Sequence, residues 1–287
     1  MTQPCLAPLP VSSPPLRALP PGSTDCHAHV ILPADEHPFV SNRAYTPPAA
    51  TLSDYRALHR QLGIERAVIV QPSVYGTDNR VTLKAVSRYG PNCRGIAVVA
   101  PSVPFDALKA MHANGIRGAR INMLFSGGGV GLDDIVHLAK RLEALGWHLQ
   151  VLIDGPTLAD LESRLATLPV PVVVDHMGHV RCEDGLDQPG FVALRRLVSQ
   201  GNTWVKLSGN YRMSEQRPHF DDAVPFARAL IAEHPGHMVW GTDWPHPALT
   251  DFMPDDGVLL DALDRYARTD AERTDILVHN PAVLYGF

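Results

Sequence analysis

Two histidines lie two residues apart near the start of the chain, in the segment STDCHAHVIL that runs from Ser23 to Leu32. Side chains of a β-strand alternate between its two faces, so His27 and His29 would point to the same side. Two imidazoles that converge in this way can ligate a metal ion or donate paired hydrogen bonds. A pair of hydrogen-bonded polar residues at a strand end would show the same pattern, so the rest of the chain must decide.

Short β-branched runs alternate with segments of helical period from Asp25 onward, which is typical of β-α units around a parallel sheet. The predicted strands cover residues 25–30, 66–72, 94–100, 118–123, 148–153, 171–177, 203–209 and 237–243. Predicted helices between them include residues 52–62, 105–114, 133–145, 158–168, 191–199 and 223–233. Eight strands, each followed by a helix, predict an α/β protein with a single-domain (β/α)8 TIM barrel.

The barrel is expected to occupy residues 23–287, after an N-terminal extension over residues 1–22. The extension contains seven prolines and has neither the basic region nor the apolar region of a signal peptide. We expect it to be poorly ordered. Residues 31–50 form the longest connection, which we expect to lie over the mouth of the barrel.

The composition favours a small-molecule substrate. The chain has 287 residues, with 25 basic and 30 acidic side chains and no basic run, which argues against nucleic acid or an anionic membrane as the main partner. Its four cysteines are too far apart for C-x-x-C metal ligation and too few for a disulfide framework, so we expect a reducing, cytoplasmic location. The oligomeric state stays open.

Reactive residue types collect at the predicted C-terminal ends of the strands, where barrel enzymes form their active sites. His27 and His29 end the first strand, and Arg120 and Asn122 end the fourth. The sixth and eighth strands end at two more ionisable residues, His176 and Asp243. Unpaired buried charges cost several kcal/mol each, so packing alone does not explain this collection. The pattern favours function over a purely structural role for the opening histidines.

Seven segments also resemble a known family. DCHAHV, VQPSVYGTDN, GIRGARIN, VDHMG, VKLSGNYR, WGTDWPHP and NPAVLYGF are similar, in this order, to motifs of the amidohydrolase superfamily, of the amidohydrolase 2 type. They resemble in particular the branch that contains 2-pyrone-4,6-dicarboxylate lactonase, over about residues 24–287. The resemblance implies that His27, His29, His176 and Asp243 surround the reacting centre, which in the superfamily usually holds one or two divalent metals.

Two superfamily features are missing. The fourth strand offers Arg120 and no bridging lysine, and the fifth strand, HLQVLI, ends without a histidine. We therefore do not expect a binuclear centre. The lactonase branch is similar in these absences, which implies hydrolysis without an obligatory metal; one divalent ion, zinc or manganese, on His27, His29, His176 and Asp243 remains the alternative.

The resemblance also assigns substrate-binding positions. Ser73 and Thr77 in VQPSVYGTDN, Arg120 in RIN and Arg212 in SGNYR match positions that hold substrate carboxylates. The branch has a further arginine six positions after the strand-four arginine, where this chain has Ser126 in FSGGGVG. A glycine-rich loop cannot supply a bidentate cation, so a lactone with fewer carboxylates, or a sugar-acid lactone, becomes an alternative to the dicarboxylate.

Together these features predict a hydrolase that opens the ester bond of a small carboxylated lactone. Asp243 would act as general base, while the histidine cluster polarises the carbonyl group. The alternatives are decarboxylation, hydration or lactone isomerisation at a similar site, or a barrel retained only for binding. We expect His179 and His246 to support the site from behind or to face solvent. We interpret the glycines at 127–129 as a flexible lid, because a phosphate loop needs a following Lys-Ser/Thr.

Overall fold

The computed structural model describes residues 4–10, 12–125 and 134–287. Within these residues one sheet contains eight parallel strands that neighbour each other in chain order. The strands are β1 (Thr24–Ala28), β2 (Arg66–Val70), β3 (Cys93–Ala97), β4 (Ile116–Asn122), β5 (His148–Leu152), β6 (Val172–Val174), β7 (Thr203–Lys206) and β8 (Met238–Val239). All eight predicted strands are present.

The sheet closes on itself where the chain after β8 meets β1. The amide of Cys26 donates to the carbonyl of Trp240 at 2.9 Å, and the amide of His29 donates to that of Trp244 at 2.8 Å. The buried carboxylate of Asp25 adds a side-chain link, since it accepts from the amide and the hydroxyl of Thr242 at 2.9 and 2.6 Å. The predicted (β/α)8 barrel is thereby confirmed.

Helices of amphipathic sequence surround the sheet. The described helices are α1 (Leu52–Leu62), α2 (Arg80–Tyr89), α3 (Phe105–Ala113), α4 (Ile135–Glu143), α5 (Gly155–Ala166), α6 (Pro189–Ser199), α7 (Asn210–Met213), α8 (Val224–Glu233), α9 (Asp256–Asp261), α10 (Leu263–Tyr266), α11 (Asp270–Thr274) and α12 (Asn280–Tyr285). Helix α1 shows how the sequence sets such bounds: Thr51 and Asp54 form a capping box at its start, and Gly63 ends it with a φ of 80°. None of the described helices is long and apolar enough to cross a membrane.

Apolar residues form two layers. The larger one lies between the helices and the outer face of the sheet, and a smaller cluster fills the barrel interior. The interior cluster contains Cys26, Val68, Val70, Ile96, Val173, Trp204, Val239 and Tyr285. Tyr285 belongs to α12, so the last helix closes the N-terminal end of the barrel. The opposite end is left to polar side chains.

All eight strands end earlier than predicted, and at β6 and β8 this moves two candidate residues into turns. β6 stops at Val174 and β8 at Val239, whereas we predicted strands to residues 177 and 243. His176 and Asp243 have φ angles of 51° and 66°, in the left-handed region that an extended strand does not allow. Non-glycine residues are held there at a cost and often belong to functional sites.

The segments around the barrel mouth complete the fold. Cys5 and Leu6 of the extension donate backbone hydrogen bonds to Thr46 and Leu249, at 3.0 and 2.8 Å, and Ser13 contacts the carboxylate of Asp255. The described part of the extension therefore lies against the barrel. The expectation that residues 1–22 are poorly ordered stays a prediction. Ser126 and the glycines at 127–129, with the lid interpretation, fall outside the described residues.

Candidate active site

A cavity opens at the C-terminal end of the barrel. It is lined by His29, Tyr45, Ser73, Arg120, Asn122, Phe125, Leu152, His176, His179, Arg212, Asp243 and Pro247. These residues come from strand ends and from the connections that follow them, the position at which barrel enzymes carry their reactive groups. The cavity combines cationic, hydroxyl and imidazole groups with one carboxylate.

The carboxylate of Asp243 has two different oxygens. Oδ2 accepts hydrogen bonds from the Tyr211 hydroxyl at 2.6 Å and from Nε of Arg212 at 2.7 Å. Oδ1 faces the Nε2 atoms of three imidazoles, 3.6 to 3.9 Å away. Burial opposes ionisation of Asp243, but the charge of the Arg212 guanidinium outweighs it and holds the pKa of Asp243 well below its usual value. Asp243 is therefore a carboxylate at neutral pH, with one oxygen available to a ligand.

The three imidazoles are His27, His29 and His176, as the sequence predicted. Their Nε2 atoms lie 3.7, 3.9 and 3.6 Å from Asp243 Oδ1, in that order. Burial lowers the pKa of all three, and that of His29 falls to about 3. Each ring is therefore neutral at pH 7 and carries one N–H group.

The neighbours of Nδ1 decide where that hydrogen lies. Nδ1 of His29 is 2.8 Å from the carbonyl oxygen of Val70, which can only accept, so His29 presents a bare Nε2 to the cavity. Nδ1 of His176 is 2.9 Å from the hydroxyl of Ser208, which can donate or accept. His29 is thus a hydrogen-bond acceptor toward the cavity, and His176 can be either.

The same four atoms have spacings close to those of metal ligands. Nε2 of His27 and Nε2 of His29 are 3.4 Å apart, and the carboxylate distances reach 3.9 Å. Ligands bound tetrahedrally to zinc at about 2.0–2.1 Å would be about 3.4 Å apart. His27, His29 and Asp243 form one candidate ligand group, and His27, Asp175 and His176 form another. By position alone, His27, His29, His176 and Asp243 could hold one divalent ion.

A layer of buried charge lies directly beneath the imidazoles. Asp175 accepts hydrogen bonds on Oδ2 from Nε of Arg120 at 2.9 Å and from Nε2 of Gln150 at 3.0 Å. Lys206, at the end of β7, is fully buried and lies 3.4 Å from Asp175 Oδ1. Burial opposes ionisation of Asp175, but the charges of Lys206 and Arg120 keep the pKa of this carboxyl well below its usual value.

Cations and hydroxyls cover the other walls of the cavity. Among the described residues, the protein acceptor of the Arg120 guanidinium is Asp175, and its Nε makes that bond. The Ser73 hydroxyl donates to Tyr45 at 3.1 Å, so two hydroxyls meet at the wall. His179 is enclosed and its Nε2 has no hydrogen-bond partner among the described residues. These groups suit an anionic, oxygen-rich ligand.

Most of the predicted site residues come together in this arrangement. The cavity wall contains His29, Ser73, Arg120, His176, Arg212 and Asp243, and Nε2 of His27 lies behind it. Thr77 does not join them, because it is exposed on the connection after β2. His179 was expected outside the cavity but lines it, since its φ of 47° turns the chain back over the barrel mouth.

Several residues of this site were not identified from the sequence, and Asp175, Tyr45, Tyr211 and Lys206 are among them. Tyr45 comes from the long connection, whose path no periodicity predicts. Tyr211 donates to the candidate base, and Lys206 contacts His27. A signal for Lys206 was present, because it interrupts the apolar strand TWVKLSG on the same face as Trp204, which fills the barrel interior.

Comparison with known proteins places this geometry in a family. The sequence profile described as amidohydrolase, of the Amidohydro_2 type, matches residues 24–287. A protein from Comamonas testosteroni named 2-pyrone-4,6-dicarbaxylate hydrolase is 37% identical over 281 residues, which cover 93% of this chain and 91% of that protein. A 4-sulfomuconolactone hydrolase from Rhizobium radiobacter is 38% identical over 289 residues, with coverages of 99% and 96%.

One solved structure extends the comparison to the fold. A probable 2-pyrone-4,6-dicarboxylic acid hydrolase from Acinetobacter baumannii, with citric acid bound, superimposes with a TM-score of 0.81. It is 27% identical, and the match covers 93% of this chain and 100% of that one.

Proposed function

Because the chain belongs to the amidohydrolase family, we propose that it hydrolyses the ester bond of a small lactone that carries carboxylate groups. The main support is the position of one carboxylate oxygen, Asp243 Oδ1. It faces three neutral imidazoles in a cavity that also contains two arginines. The relatives named as hydrolases of 2-pyrone-4,6-dicarboxylate and 4-sulfomuconolactone support this substrate class.

The nucleophile in this proposal is a water molecule between Asp243 and His29. The bare Nε2 of His29 and Asp243 Oδ1 are 3.9 Å apart, so one water can donate a hydrogen bond to each of them. Asp243 takes a proton from this water as its oxygen forms a bond to the lactone carbonyl carbon. The low pKa of Asp243 keeps it ionised for this step.

The remaining imidazoles act on the carbonyl oxygen. An N–H group of His176 or His27 that points into the cavity would donate to the oxyanion of the tetrahedral intermediate. Collapse of that intermediate breaks the ring C–O bond, and the proton held by Asp243 passes to the departing oxygen. The new carboxylic acid ionises at neutral pH, so each turnover releases one proton to the solution.

Arg120 and Arg212 would hold the substrate carboxylates, together with the hydroxyls of Ser73 and Tyr45. The citric acid bound in the Acinetobacter baumannii protein is, like the proposed substrate, a small molecule that carries carboxylates. Thr77 has no part in the proposal because it is exposed away from the cavity. Ser126 stands where the lactonase branch has a further arginine, so we expect 2-pyrone-4,6-dicarboxylate to be a poorer substrate than a lactone with fewer carboxylates.

We propose that no metal is obligatory. A divalent ion held by His27, His29, His176 and Asp243 would polarise the carbonyl as a Lewis acid. The residues above supply a base and hydrogen-bond donors, and a lactone carbonyl is electrophilic enough for such help to suffice. We also place the reaction in a reducing compartment, the cytoplasm, because all four cysteines are free thiols.

A panel of lactones in weakly buffered pH indicator tests the proposal. Hydrolysis should acidify the solution by one proton per turnover and release no carbon dioxide. Isomerisation would convert the lactone without acidification, and decarboxylation would release carbon dioxide. Tight binding of carboxylated lactones without any turnover would show a binding protein instead and overturn the proposed hydrolysis.

A further inference from the structure

Lys206 is an ammonium group enclosed in the barrel, directly below the candidate active site. Its side chain is 0% exposed at the end of β7. Burial lowers the pKa of Lys206 below its usual value, and the carboxylate of Asp175, 3.4 Å away, offsets only part of this shift. A buried charge of this kind is retained only where its hydrogen bonds are satisfied.

Lys206 has two hydrogen-bond acceptors, Gln150 and His27, and it forms an ion pair without a hydrogen bond with Oδ1 of Asp175. Nζ lies 2.8 Å from Oε1 of Gln150, 3.1 Å from Nδ1 of His27 and 3.4 Å from Oδ1 of Asp175. The amide of Gln150 is oriented to accept from Lys206, because its oxygen faces the ammonium while its nitrogen donates to Asp175. A lysine ammonium has three donors and no acceptor, so Nδ1 of His27 must be the acceptor.

This contact decides which nitrogen of His27 carries hydrogen. The ring is neutral, so an Nδ1 that accepts from Lys206 leaves the hydrogen on Nε2. In the other tautomer the hydrogen lies on Nδ1 and points to Asp175 Oδ1, which is 3.2 Å from that nitrogen. That arrangement would set an N–H of His27 against an N–H of Lys206 at 3.1 Å and remove one of the two hydrogen-bond acceptors of the ammonium. Nε2 lies just behind the cavity wall, 3.4 Å from the bare Nε2 of His29 and 3.7 Å from Asp243 Oδ1.

We propose that Lys206 is a positioning residue that fixes His27 as an Nε2–H donor toward the lactone carbonyl and thereby prevents the imidazole cluster from binding a divalent ion tightly. A metal ligand must offer a bare nitrogen, which His29 does and His27 does not. Without Lys206, the Nδ1–H of His27 could donate to Asp175, which is the carboxylate–histidine pair that orients metal-binding imidazoles. The catalytic half of this inference rests on the proposed hydrolysis, whereas the tautomer does not.

Nitrogen-15 NMR of histidine-labelled protein measures the tautomer directly, with the signals of His27 identified by their loss in His27→Gln. We expect the wild-type ring to carry hydrogen on Nε2, and Lys206→Met to move it to Nδ1. A wild-type His27 with hydrogen on Nδ1 would overturn the proposal. The wild-type spectrum decides this point even if Lys206→Met does not fold.

Zinc titration by calorimetry tests the second consequence. We expect Lys206→Met to bind zinc about 10–100-fold more tightly than the wild type, the usual size of an effect from a group behind a metal ligand. Arg120→Met is the matched control, because it also removes one positive charge beside Asp175 but leaves the Lys206–His27 contact in place. An equal gain in both variants would show a general charge effect and refute the role of the tautomer.

Kinetics of the same variants separate this inference from the proposed function. Lys206→Met should lower kcat on a hydrolysed lactone with little change in KM, because only the donor to the oxyanion is lost. No hydrolysis by the wild type would refute the proposed function and leave the NMR and zinc results as they stand. An unchanged kcat with an altered tautomer would refute the catalytic half alone.

Discussion

Replacement of Asp243 by asparagine tests the general base. The two side chains have the same shape, but the hydroxyl of Tyr211 and Nε of Arg212 donate to Oδ2 and therefore select the amide oxygen of the asparagine. The amide nitrogen must then take the place of Oδ1, which faces the three imidazoles. A hydrogen-bond donor replaces the base, so water loses its proton acceptor. We expect kcat to fall by about 10²–10⁴-fold, the usual contribution of a positioned general base.

In free energy this loss is about 3–5 kcal/mol in the barrier. The assay is proton release from the best lactone of the panel, at saturating substrate, so that weaker binding does not enter. Asp256→Asn is the control, because Asp256 is also a buried carboxylate but contacts His246 behind the cavity. We expect it to retain kcat within about tenfold, below the range of a lost base. A kcat of Asp243→Asn close to that of the wild type would refute the mechanism.

Three further outcomes follow from the same geometry. Arg120→Met should lower kcat/KM on a carboxylated lactone by a factor that corresponds to about 2–5 kcal/mol, as expected for one partner of a desolvated charge pair. An unchanged kcat/KM would remove Arg120 from substrate binding. Exhaustive chelation should leave most activity, and activity that disappears and returns with zinc or manganese would contradict the metal-free mechanism. Urea unfolding should show a lower free energy of unfolding at pH 5 than at pH 7. The pKa of His29 and of His148 is about 3 in the folded chain, so the unfolded chain takes up their protons first as the pH falls below about 6.5. Each contributes about 2 kcal/mol to this loss, and equal stabilities at the two pH values would contradict the buried, neutral state of both rings.

The strand order of the barrel could be predicted because each strand carries a local signal. Runs such as RAVIV and VVV are apolar on both faces, as strands covered by helices must be. Helix α1 was predicted with its correct bounds, since the Thr51 cap and Gly63 are local sequence features. The ends of β6 and β8 were predicted too late, because no local sequence signal marks the point before His176 and Asp243 at which the backbone leaves the strand.

The candidate site was only partly predictable, and distance along the chain is the reason. His27, His29 and Asp243 stand out by spacing and by their place after apolar runs. The partner of His27 on β7 is 179 positions away, and no local pattern links the two residues. Tyr45 meets Ser73 only because the connection after β1 folds over the cavity. Contacts of this kind depend on the closed barrel and not on any one segment.

The electrostatics of Asp243 restrict the chemistry that the site can perform. Arg212 and Tyr211 bind its Oδ2, and the charge of Arg212 keeps its pKa well below the usual value, so the carboxylate is a weak base. A weak base removes a proton from water poorly, so the carbonyl group that the water attacks must already be reactive. A lactone meets this condition because its ester carbonyl is more electrophilic than that of an amide, and because its ring oxygen is a better leaving group than an amine. The same arrangement that keeps Asp243 ionised in a buried cavity therefore favours ester substrates over amides.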